Sequence, residues 1–175
     1  MVSQLKVNEI IKQSGSSITI GEDGDTVSGP FTNTPAFKVN LSSDQTISNN
    51  TWTKVQYNSE EYDTDSAYDN SSNYRFTVPS GKSGKYIFHA MLCVDDMNDQ
   101  TRVGIKIYKN GSADNLTWFQ DFASGGVFVT VSTSVTYNLS AGDYIEIYGR
   151  QNHGSDKPIQ GAERNVFFGY RIIGA

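Results

Sequence analysis

The chain is poor in the features that define several protein classes. It holds one cysteine, Cys93, so no disulfide forms within it and a cross-linked miniature fold is excluded. Lys and Arg number 14 against 19 Asp and Glu, giving a formal net charge of −5 and a pI near 4.9. No Lys/Arg cluster breaks that acidic background, so the basic stripe required by a nucleic-acid partner is missing. No apolar run approaches a membrane span, and the opening MVSQLKVNEI lacks a signal peptide's hydrophobic segment. The expectation is a disulfide-free protein made in the cytoplasm, with no membrane insertion and no nucleic acid as partner.

What is present is aromatic and small polar. Ten Tyr and nine Phe are spread among Ser, Thr, Asn and Gly, and only 19% of residues are charged, a composition of strands and turns. The length, 175 residues, suits one domain with a substantial core and a short appendage. Residues 1–30 stand apart, because "LKVNEIIKQSGSSITIGEDGDTVSG" has few aromatics. About thirty residues bury no core alone, so this segment must dock on the main domain, on its own copies or on a partner. Gly29-Pro30 and Thr34-Pro35 punctuate a linker. The chain thus divides into an attachment segment and linker, 1–34, and a domain, 35–175.

After Ala36 one strand follows another: "AFKVNL", "WTKVQY", "NYRFTV" ending at Pro79, "KYIFHAMLCV", "RVGIKIYKNG", "TWFQDFA", "GGVFVTVSTSVTYNL", "DYIEIYGR" and "NVFFGYRII". Around ten short strands with Gly, Asn and Asp turns imply an all-β antiparallel sandwich or barrel. "RVGIKIYKNG" sets Val103, Ile105 and Ile107 against a wet side of Gly104, Lys106 and Tyr108. "KYIFHAMLCV" and "NVFFGYRII" are instead apolar on both faces. Leaving large apolar side chains wet costs about 1.5–3 kcal/mol each, so the second face calls for cover by another subunit. A homo-oligomer follows.

These strands also resemble a known family. Gly84-Lys85-Tyr86-Ile87-Phe88 after a Phe76-X-Val78-Pro79 strand is similar to the core signature of C1q-like domains. "PAFKV", "WTKVQYN", "GIKIYKNG", "VTYNLSAGDYIEI" and "NVFFGYRII" match further family motifs in order, from Pro35 to Ala175. The resemblance implies a ten-stranded jelly roll of the C1q and tumour-necrosis-factor superfamily, assembled as a compact homotrimer. It implies a protomer core of Tyr86, Phe88, Phe168, Tyr170 and Ile172. It likewise implies a trimer interface of Ile87, His89, Met91, Phe167, Gly169 and Ile173. The start "SQLKVNEIIKQSG" resembles openings of tail-fibre and other virion proteins of marine bacteriophages.

Signs of catalysis fail on spacing. Phe76 stands where a phosphate loop needs the glycine before Gly81-Lys82, and the following strand offers no helix N-terminus; the turn reads as a hairpin connection. No Gly-X-Ser-X-Gly elbow exists, His89 is mid-strand, and His153 lies in a loop with Asp156. No catalytic residue is assigned. Three copies of His89 at a threefold axis would hold an anion or metal, or titrate together; the plainer reading is a packed interface histidine. Cys93 shares a stripe with Met91 and reads as a buried thiol. The acidic loops make Asp63, Asp65, Asp95 and Asp96 weak calcium candidates, without the spacing of a known calcium loop; otherwise no cofactor is expected. Tyr62, Tyr68, Trp118 and Phe119, with Tyr74, are candidates for loops that bind a host glycan or protein. The functional expectation is a non-enzymatic trimeric phage virion protein, a tail fibre or receptor-binding knob, docked to other virion proteins through residues 1–30. The alternatives are a capsid decoration protein or head fibre, and a secreted C1q-like receptor ligand.

Overall fold

The computed structural model describes residues 34–124, 128–161 and 164–172. Fourteen strands are found among them, in two seven-stranded sheets. The first sheet holds β1 (Ala36–Asn40), β2 (Gln45–Ile47), β4 (Ser59–Asp63), β7 (Gly84–Val94), β11 (Val129–Leu139), β13 (Lys157–Ile159) and β14 (Val166–Arg171). The second holds β3 (Thr53–Lys54), β5 (Tyr68–Asp69), β6 (Arg75–Thr77), β8 (Arg102–Lys109), β9 (Ser112–Ala113), β10 (Phe119–Phe122) and β12 (Tyr144–Gln151). The ladders between these strands are antiparallel, and the order β11-β7-β14-β1-β4 forms the body of the first sheet. In the second, β10-β8-β12-β6-β5 run side by side. The nine segments read as strands each hold one, "WTKVQY" only as β3; the five unforeseen are β2, β4, β5, β9 and β13, all but β4 being pairings of two or three residues. Such fragments are too short for alternation to mark them in a sequence.

The core lies between the sheets and is built on aromatic rings. Phe37 of β1 stacks on Tyr68 at 5.2 Å and on Phe76 at 5.0 Å, and meets Phe167 edge-on at 4.9 Å. Tyr86, Phe88, Ala90, Leu92 and Val94 point inward from β7, all fully buried. Tyr57 is buried too, and its hydroxyl donates to the Met91 carbonyl at 2.9 Å. Desolvation holds that phenol far above the usual range for tyrosine.

Five assignments on β14 and just past its end are reversed. Phe167 belongs to the protomer core, fully buried, while Phe168 and Ile172 are half-buried and Tyr170 is exposed. Gly169 also faces inward, under the ring of Phe88. Register is the reason: Phe167 pairs with Ala90 and Gly169 with Phe88, whereas Phe168 pairs with His89 and Tyr170 with Ile87. Directly paired residues share a face, so β14 takes its phase from β7. Ile173 lies outside the described residues.

The "SGKSG" stretch is likewise not a hairpin. β6 and β7 belong to different sheets, and the turn carries the chain from one layer to the other. It is pinned there. Arg171 donates to the Ser83 carbonyl at 2.9 Å, Lys82 pairs with Asp65 at 3.2 Å, and the Tyr86 hydroxyl donates to the Lys82 carbonyl.

Candidate functional site

Two surfaces of the sandwich stand out. On the outer face of the first sheet, register sets Ile87, His89 and Met91 of β7 beside Tyr170, Phe168 and Val166 of β14. The other side of β7 meets Thr136, Ser134 and Ser132 of β11, all exposed. His89 Nδ1 lies 2.8 Å from the Ser134 hydroxyl, and its ring packs on Phe168 at 5.1 Å. Beyond Phe168 a groove of about 600 Å³ is lined by Lys38, Asn40, Tyr62, Met91, Val166 and Phe168. Lys38 pairs with Glu61 at its rim, 2.6 Å apart, and that hydrogen bond raises the lysine above its ordinary pKa. Among the expected interface residues, the structure therefore places Ile87, His89 and Met91 together. Val166, Phe168 and Tyr170 join them.

A second apolar surface is the edge of the other sheet. Among the described residues β10 pairs only with β8, and all four of its residues are exposed. Phe119 and Phe122 are each half open to solvent, with Leu116 and Phe128 also exposed. Next to this edge, on the outer face of the second sheet, Trp118 meets Trp52 edge-on at 6.0 Å. The ammonium of Lys106 sits 4.7 Å from both indole rings and is buried. The wet side expected for β8 is thus covered at Lys106 by two tryptophans. Trp52, Lys106 and Arg150 are absent from the sequence-derived candidates, because only strand register brings them together. Of the loop aromatics, Tyr62, Trp118 and Phe119 are exposed, Tyr74 is half-buried, and Tyr68 is a core residue stacked on Phe37.

No family model matches the chain. It is 26% identical over 125 residues to the uncharacterized protein YqcC of Bacillus subtilis (strain 168), across 67% of this chain and 33% of that one. The chain thus spans about a third of that relative's length. Among solved structures, it is similar to the globular domain of zebrafish complement 1qA, with a TM-score of 0.58 and 22% identity over 79% of this chain and 97% of that one. Murine APRIL aligns with a TM-score of 0.56 and 10% identity, covering 78% and 98%. Eiger TNF from S. frugiperda gives 0.54 and 12%, covering 80% and 93%. The fold is a C1q/TNF-like jelly roll.

Within this jelly roll the other sequence-derived candidates are occupied by structural bonds. Asp63 accepts from the Tyr68 and Asp65 amides, and Asp65 pairs with Lys82. Asp95 accepts from the Asp96 amide at 2.6 Å, and Asp96 pairs with Lys157, which holds its carboxyl below the usual range. Among the described residues no three His, Cys, Asp or Glu side chains gather as a metal site. His153 contacts Ser155 at 3.0 Å, whereas Asp156 accepts from the Asn49 amide, so the two form no dyad with each other in the described bonds. Cys93 is fully buried.

Proposed function

We propose that this chain is a non-enzymatic, trimeric binding knob of a bacteriophage virion, a tail-fibre or receptor-binding protein that attaches the particle to a repetitive host surface. The observation that carries the reading is the pair of apolar surfaces, the β7/β14 outer face and the β10 edge, which lie on different sheets. A single self-complementary patch would close a twofold dimer. Two different patches make a head-to-tail contact, which becomes a ring when the rotation closes. Threefold closure is what the C1q-like resemblance implies, with His89 at the seam. Burying each large apolar side chain there contributes about 1.5–3 kcal/mol, and three binding faces presented together raise avidity.

On this reading residues 1–30 dock the trimer to other virion proteins, supported by their resemblance to phage fibre openings. Light scattering on the chain is expected to give three times the 19.3 kDa protomer mass; a clean monomer overturns the assembly. Immunogold electron microscopy of source particles then tests location. Gold at the tail tip is expected. Gold over the capsid would make the chain a decoration protein or head fibre, and unlabelled particles with accessible epitopes would end the virion reading. Turnover of a host glycan would end the non-enzymatic one.

A further inference from the structure

The outer face of the second sheet carries a cleft of about 150 Å³, lined by Trp52, Arg102, Gly104, Trp118, Gln120 and Arg150 among others. Strand register builds it. Gly104 of β8 pairs with Arg150 of β12 on one side and with Gln120 of β10 on the other, so the three share a face. Gly104 forms the bare floor: a Cβ there would stand 3.3 Å from Trp52 Cη2 and 3.4 Å from Trp118 Nε1. With no side chain on Gly104, the two indoles close edge-to-face over the bare backbone, and the cleft opens beside them toward Arg102, Gln120 and Arg150.

Positive charge converges on the same place. Lys106 Nζ lies behind both indoles and donates to Asn115 Oδ1 at 2.9 Å. The Arg150 guanidinium is 6.0 Å from the Trp52 ring and donates to Asn50. Arg102 stacks on Phe122 at 4.6 Å. The ion pairs among the described residues are Lys38–Glu61, Lys54–Glu146, Lys82–Asp65, Lys109–Asp143 and Lys157–Asp96, and neither the cleft's Arg102 and Arg150 nor Lys106 behind the indoles belongs to one. Three cations with no carboxylate partner among the described residues, on a chain of net charge −5, form a local field aimed at an anion.

We propose that this cleft binds one carboxylated sugar of an acidic polysaccharide. The indole faces suit the C–H face of a sugar ring, and a guanidinium grips a carboxylate with two parallel hydrogen bonds. The Gln120 amide both donates and accepts, as hydroxyls require. The cations converge on a single cleft rather than tracking a row of phosphates, which favours a sugar carboxylate over a nucleic-acid strand. The cleft opens on the sheet opposite the β7/β14 face, and its Gln120 wall belongs to β10, so it lies beside the β10 seam of the trimer rather than under the β7/β14 one. The inference rests on the adhesion reading for its biological setting only, since titration with a soluble sugar reads the cleft whatever the oligomer or the particle.

The test uses the full chain, followed by tryptophan fluorescence and calorimetry. Probes are trisaccharides of galacturonate, glucuronate and mannuronate, sialyllactose, and neutral trigalactose at equal ionic strength. At least one acidic sugar is expected to alter the emission and to bind about tenfold more tightly than the neutral one. The pair Arg102→Gln and Arg150→Gln should erase that preference. Gly104→Val, which would push the two indoles off the strand without changing charge, should abolish binding, with circular dichroism checking that the sheets persist. Failure of every acidic sugar to bind overturns the proposal, as does binding unchanged in the folded variants. Binding of oligothymidylate alone, lost in the same variants, overturns it in favour of single-stranded nucleic acid.

Discussion

A methyl group on Gly169 would stand 2.5 Å from Phe88 Cδ1 and 2.9 Å from the Ile87 carbonyl oxygen. The ring and the strand beneath it leave no room to give, so Gly169→Ala is expected to cost about 1–3 kcal/mol. The reading is a lower urea midpoint at unchanged slope. Asp69 acts through hydrogen bonds instead. Its carboxylate accepts from the Ser72 and Ser71 amides and from the Asn73 side chain and amide, which holds its pKa well below the ordinary 3.8. A depressed carboxyl stabilises the fold above its unfolded pKa and loses that contribution as the pH falls. Asp69→Asn should therefore lower the melting temperature at neutral pH, with the gap to the parent closing below about pH 4. Asp143 accepts from the Asn110 side chain and the Ser140 amide, and its pKa is lowered in the same direction. Asp143→Asn is expected to behave likewise, which a melting series against pH checks.

At the scale of the element, β7 and β14 show what periodicity can and cannot decide. β7 was legible: its inward stripe of Tyr86, Phe88, Ala90, Leu92 and Val94 is the larger and wholly apolar, while the other stripe carries His89. β14 was not, because Phe167 and Phe168 are equal in hydrophobicity and a one-residue slip exchanges every side chain between faces. Gly169 held the missing information, since the residue opposite Phe88 has to be small for the ring to lie over it. The tryptophan cleft was less legible still. Trp52 and Trp118 are remote in sequence and meet only because β8 sits between β10 and β12. The two β14 phenylalanines can be told apart by experiment. Phe167→Ala should destabilise the protomer by about 3–5 kcal/mol in urea denaturation. Phe168→Ala, or Phe122→Glu on the β10 edge, should leave the protomer folded and reduce the mass seen by light scattering.

The described body has two outer faces of unlike chemistry, one apolar and one aromatic with cations that join no ion pair among the described residues. Salt separates them. Apolar contact is insensitive to ionic strength, whereas attraction between exposed charges fades beyond about 8 Å at 0.15 M. Raising salt is therefore expected to leave the light-scattering mass unchanged while weakening acidic-sugar binding; the opposite pattern would assign the faces the other way round. The first and last described strands of this body are also immediate neighbours. Ala36 pairs with Tyr170, and the Arg171 amide donates to the Pro35 carbonyl at 3.0 Å. Neighbouring strands stand only about 4.8 Å apart, so the polypeptide enters and leaves at one pole, as a bulb has both contacts in its base. Such a unit, taken from residue 34 to residue 172, can be plugged into a loop of a larger host chain without prying that loop open.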